Sequence, residues 1–149
     1  MINRKTVIFS LILLITPLAS WGDGKLAVIV SASSSLDSLS KNEVARIFRR
    51  KTRLHKSGFS WIPTNMPPNH PLRQQFSRLL FSQSPMEMQD FWNAQYFHGI
   101  LPPRVVTSEE AMLRFVANTP GALGYVLTCH LDDRVKTVLT LPVDGQHCN

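Results

Sequence analysis

The chain has 149 residues and a net charge of +6, with 44% of its residues hydrophobic and 17% charged. That balance excludes a disordered tail, and only 7 glycines and 10 prolines exclude a collagen-like or low-complexity chain. The length suits one domain around one core.

The first residues read as a targeting segment. Arg4 and Lys5 precede the uncharged run "VIFSLILLITPLA", and "SWG" supplies small residues ahead of Asp23. This is the layout of a secretory signal peptide, and the apolar run is short for a membrane span. We expect residues 1–22 to be the signal peptide and residues 23–149 to be one exported, periplasmic domain. A basic exported protein favours small anionic solutes, lipids or glycans as partners, and no nucleic acid.

"KLAVIVS", 25 to 31, is short, aliphatic and β-branched, as a buried strand is. "SASSSLDSLS" follows, and Ser40 with Glu43 makes a capping box for a helix carrying Val44, Ile47 and Phe48 on one face. The serines therefore form a strand-to-helix loop. The basic run "RRKTRLHK", Arg49 to Lys56, reads as a solvated helix end and turn, with docking of an acidic partner as its functional alternative. "FSWIPTN", 59 to 65, is a second strand, which Pro63 assigns to a sheet edge or a strand end. Beyond the stiff loop "MPPNHP", Leu72, Phe76, Leu79 and Leu80 predict a helix from about 71 to 82.

Ser84, Pro85 and Glu87 open another helix, which Gly99 ends. Its stripe of Met88, Phe91, Trp92 and Tyr96 is expected in the core. "PRVVT" is a third strand. Thr107 and Glu110 form a capping box for a helix lined by Met112, Leu113 and Val116, which "NTPG" stops. "ALGYVL" and "VKTVLTL" are the last strands. The order β-α-β-α-α-β-α-β-β implies an α/β fold, with a mostly parallel sheet of about five strands flanked by helices.

No catalytic motif is present: there is no G-x-S-x-G elbow, H-E-x-x-H, Walker A loop or G-x-G-x-x-G after a strand. We therefore read the protein as a binder rather than an enzyme, with no cofactor. Cys129 and Cys148 are expected to form a disulfide, because oxidation is the default outside the cytoplasm. The rival is a metal site drawing on His130 and His147, but neighbouring residues on a strand point to opposite faces and converge poorly on one ion, so no metal is assigned.

Ligand sites of α/β sheets lie outside the carboxyl ends of the strands, where helix starts favour oxyanions. Two stretches meet that description. One is "TNMPPNHPLR", with Thr64, Asn65, Asn69, His70 and Arg73: Asn69 is the expected helix cap, and Arg73 can reach back to an anion. The other is the serine loop, where Ser33, Ser34 and Ser35 form a polar rim and Ser40 is a cap.

"LSKNEVARIFRRKTR", the loop entering "LRQQF", and above all "AMLRFVANTPGALGYV" resemble the phosphate-type solute-binding proteins of ABC uptake systems. The resemblance covers nearly all of residues 25 to 139. It implies a type II periplasmic-binding fold, a phosphate-like anionic ligand and an ABC permease as partner. The chain is long enough for one lobe, where phosphate binders of that family close two. The family's R-x-D-G-S-G-T phosphate loop falls on Met66 to Leu72, where none of those residues stands, and Pro71 deletes one N–H. The family's lobe has no ligand contacts where the serines lie. The competing expectation is an interaction module facing another envelope protein or an anionic surface. A homodimer rebuilding the two-lobed form is a further expectation.

Overall fold

The computed structural model describes residues 24–146. The segment expected to be a signal peptide, Asp23, His147 and Cys148 lie outside them.

The chain runs β1 (Lys25–Ser31), α1 (Lys41–Phe48), β2 (Ile62–Asn65), α2 (Pro71–Phe81), α3 (Gln89–Phe97), β3 (Arg104–Val105), α4 (Glu109–Asn118), β4 (Ala122–Leu127), a 3-10 turn (Thr128–His130) and β5 (Val135–Pro142). One five-stranded sheet has the order β3-β2-β4-β1-β5. β2 pairs parallel with β3 and β4, while β1 pairs antiparallel with both β4 and β5. Four strands thus share one direction and β1 opposes them. The expected α/β class with a mostly parallel sheet holds, and the reversed strand lies inside the sheet, between β4 and β5.

β1 is buried over Leu26 to Val30 and β4 over its whole length, as strands covered on both faces must be. Val44, Ile47 and Phe48 of α1, Leu72 and Phe76 of α2, and Met112, Leu113 and Val116 of α4 complete the core. α4 lies so close to β4 that a Cβ at Gly124 would collide with Met112 Sδ and stand 2.9 Å from Val116 Cγ2. Gly121, at φ +80°, makes the turn into β4 directly against the Ser60 carbonyl, a conformation that favours glycine.

Local signals were met unevenly. The Ser40–Glu43 capping box forms on both sides: the Glu43 amide donates to Ser40 Oγ at 3.2 Å and the Ser40 amide to Glu43 Oε2 at 2.8 Å. Pro63 does not place β2 at the sheet edge, because β3 lies beyond it. Yet β3 pairs only with Thr64 and Asn65, so Pro63 needs no donor on that side. α4 is capped by Ser108, which accepts from the Ala111 amide at 3.1 Å, rather than by Thr107. The Ser84–Glu87 bonds form, with the Glu87 amide donating to Ser84 Oγ at 3.2 Å, but they close an irregular turn and α3 begins only at Gln89.

The aromatic stripe of α3 is not core. Met88 is buried just ahead of the helix, but no residue of α3 itself is, and Tyr96 and Phe97 are 66% and 86% exposed. Helical spacing marks a common face; it does not say what covers that face. In the basic run, Arg50 Nη1 donates to the Trp61 carbonyl at 3.2 Å and the Arg49 guanidinium sits 4.7 Å from the Phe81 ring centroid. Both cations are engaged in local packing.

The two ends of the described chain meet. The Val143 amide donates to the Gly24 carbonyl at 3.1 Å, and a Cβ on Gly24 would strike the Gln146 carbonyl.

Candidate functional site

A cavity of about 450 Å³ opens where β2 delivers the chain to α2. Asn65 and Asn69 line it from the strand end and the loop, Arg73 and Gln74 from the first turns of α2, and Gln89 from α3. The other walls are apolar: Met66, Pro85, Met86, Trp92, Pro102 and Pro103 contribute most of them.

The strand end is anchored from behind by Tyr125 of β4. Its hydroxyl donates to Asn65 Oδ1 and accepts from the Met66 amide, both at 3.2 Å. The Val106 amide holds the Asn65 carbonyl at 2.9 Å. The ring stacks on Phe76 with centroids 3.8 Å apart. Burial pushes the phenol above the ordinary tyrosine range, with the nearby Arg73 charge opposing the shift.

Helix α2 is capped by His70 and not by Asn69. The imidazole Nδ1 accepts from the Leu72 amide at 3.2 Å, and Pro71 occupies the first helical position. Gln74 Nε2 braces the loop through the Pro68 carbonyl at 2.6 Å. Farther along α2, Gln75 clasps the tail: it accepts from the Asp144 amide at 2.9 Å and donates to the Asp144 carbonyl.

Arg73 carries the electrostatics. Among the described residues, it is the single charged one lining the cavity. Its Nε is buried without a partner among the described residues. Burial pulls its pKa below the ordinary arginine value, and the Tyr125 phenol partly offsets this. Arg73 as a whole is only half-buried, but its Nε is withheld from water, and an anion entering the cavity would satisfy that group.

Asn65, Asn69 and Arg73 are therefore brought together as expected. Thr64 is not part of the rim: it is fully buried, and its hydroxyl donates to the Ile62 carbonyl at 3.2 Å. His70 is spent on the helix cap.

The serine loop lies elsewhere. β1 runs against β4, with Ile29 opposite Gly124, so its carboxyl end meets the amino end of β4. Ser33, Ser34 and Ser35 thus sit at the opposite edge of the sheet from Asn65, lining a separate cavity of about 330 Å³ with Phe59 and Trp61. The loop is shaped by its own hydroxyls. Ser31 Oγ donates to the Ala117 carbonyl at 3.2 Å, and Ser34 Oγ accepts from the Leu36 amide at 3.2 Å.

Cys129 lies on the 3-10 turn, not on a strand; its expected partner Cys148 is outside the described residues. The adjoining His130 Nδ1 is 2.9 Å from Glu109 Oε2, which also accepts from the Leu127 amide at 2.7 Å. Among the described residues, no cluster of histidine, cysteine or carboxylate side chains suits a metal.

Three contributors were missed from the sequence. "GALGYV" read as a strand and as part of the family resemblance, and nothing in its pattern marked Tyr125 as the group that fixes Asn65. Trp92 and the Pro102–Pro103 pair reach the cavity from segments far along the chain.

The fold is one shared with solved phosphate-type solute-binding proteins. The structure is similar to an ABC-type phosphate transport receptor from Vibrio cholerae, with a TM-score of 0.65 at 18% identity over 77% of this chain and 45% of that one. It is also similar to PstS from Borrelia burgdorferi, with a TM-score of 0.56 at 13% identity over 85% of this chain and 49% of that one. The chain spans less than half the length of these proteins. No family model and no curated protein matches the sequence. Among the described residues, no helix is long and apolar enough to cross a membrane.

Proposed function

We propose that this is an exported, single-lobe solute-binding protein that takes a small anionic solute, phosphate or another oxyanion or carboxylate, at the start of α2. The observation that carries it is Arg73, the lone charge in its cavity, with a buried Nε that no described residue satisfies. The architecture shared with phosphate transport receptors supports a role in ABC-type uptake, with a permease as partner. Export through the residue 1–22 signal peptide and a periplasmic location belong to the same proposal.

Calorimetry with phosphate, sulfate, molybdate and small carboxylates tests it, on wild type and Arg73→Ala. At least one anion should bind with a roughly micromolar to millimolar Kd, as one or two charge-assisted bonds allow, and weaken in the variant. No binding by any anion would refute the reading.

A second reading rests on α3, whose aromatic face has no cover within the described lobe, Phe97 being 86% exposed. It makes the lobe an interaction module for another envelope protein or for a second copy. Light scattering of wild type and Phe97→Ser tests the second copy. A monomer in both would leave only a different partner.

A further inference from the structure

Resting on the reading of the α2 start as an anion site, we propose that its ligand is a monoanion, a carboxylate, carried on an apolar or aromatic body.

Two of the fixed donors that a dense oxyanion needs are missing. Of the N–H groups in the first turn of α2, Pro71 has none and Leu72's is taken by the His70 imidazole at 3.2 Å. A phosphate held at a helix start draws on several converging backbone N–H groups. The charged donor here is one guanidinium, whose planar fork matches the two oxygens of a carboxylate, with Asn69 and Gln89 beside it as neutral side-chain amides.

The space points the same way. A cavity of about 450 Å³ is far larger than a bare oxyanion, and Met66, Met86, Trp92, Pro102 and Pro103 line it with apolar surface. Phosphate gains nothing from such walls, whereas an apolar body gains by leaving water for them. Charge balance agrees. Arg73 faces no carboxylate among the described residues of the cavity lining, so a monoanion neutralises it, while a dianion leaves one charge unmatched there.

The probes are inorganic phosphate, acetate, phenylacetate and the uncharged benzyl alcohol, titrated into the protein by calorimetry and ligand-observed NMR. Phenylacetate should bind saturably and at least tenfold more tightly than acetate or phosphate. Arg73→Gln should weaken phenylacetate roughly 10- to 100-fold, the loss of a charge-assisted pair, whereas Arg78→Gln on the exposed face of the same helix should leave it unchanged. Trp92→Ala should reduce phenylacetate towards acetate without changing phosphate. Thermal melts of each variant confirm folding, and Arg73→Lys, which keeps the charge but not the fork, should recover only part of the affinity. Phosphate binding more tightly than phenylacetate in an Arg73-dependent way overturns this inference and leaves the anion site standing. Binding by none of the anions overturns both. Benzyl alcohol binding as tightly as phenylacetate removes the charge from the account and also overturns the inference.

Discussion

Removing one oxygen atom, in Tyr125→Phe, should cost the domain about 2 kcal/mol. The phenylalanine ring retains the stack on Phe76, 3.8 Å between centroids, so packing area is preserved and the hydroxyl alone is tested. That hydroxyl makes two bonds of 3.2 Å, to Asn65 Oδ1 and from the Met66 amide. Asn65 is 4% exposed and Met66 is fully buried, so water cannot replace the lost partner. Each bond is worth about 1 kcal/mol net, so the loss of two comes to about 2 kcal/mol, the lower end of what orphaning two buried groups costs. Urea unfolding should show a lower midpoint with an unchanged slope, and the melting temperature should fall by roughly 5–15 °C. A double-mutant cycle with Asn65→Ala should return a coupling of about 1 kcal/mol, because the two side chains share one bond. A loss below about 0.5 kcal/mol, or additivity in the cycle, would refute the idea that this hydroxyl pins the end of β2.

The same phenol sets an alkaline limit. Its folded pKa is raised above the ordinary value of 10.0, so its contribution is complete below pH 10 and is lost as pH rises beyond it; urea midpoints should fall there in wild type and fall less in Tyr125→Phe. Gly124→Ala should destabilise by about 1–3 kcal/mol, since its methyl meets Met112 and Val116, and calorimetric melting reads the loss. Cys129 and Cys148 should be recovered joined in non-reducing peptide maps of the exported protein, and the double serine variant should melt several degrees lower; two free thiols would refute the pairing.

Local signals carried most of the fold. The aliphatic run of β1 and the Ser40–Glu43 box were readable because each depends on neighbours within a few residues. The reversal of β1 was not readable, because a strand buried on both faces looks the same in either direction. That reversal moved the serine loop away from Asn65. His70 escaped notice as a cap because its ring nitrogen accepts only in one tautomer and geometry, whereas asparagine is the standard choice. Arg73 was named from its position alone. The cavity it lines also takes walls from Pro102 and Pro103, some thirty residues downstream, whose arrival there no local pattern announces. The aromatics of α3 failed for a different reason: periodicity reports which residues share a face, and burial depends on what arrives to meet it.

The meeting of Gly24 with Val143 and Gln146 makes the fold circular in all but one covalent link. β1 and β5, at the two ends of the described chain, are partners along seven paired positions. Chain order is therefore incidental to how this sheet is packed. A short bridge from residue 146 to residue 24, with a new opening at the exposed turn Lys56–Gly58, preserves every strand pairing and every wall of the α2 cavity, while removing Cys148 and its predicted bridge to Cys129. Such a permuted chain frees both termini from the β1–β5 edge and leaves the Arg73 side of the lobe untouched, giving a place to attach a reporter without disturbing ligand entry.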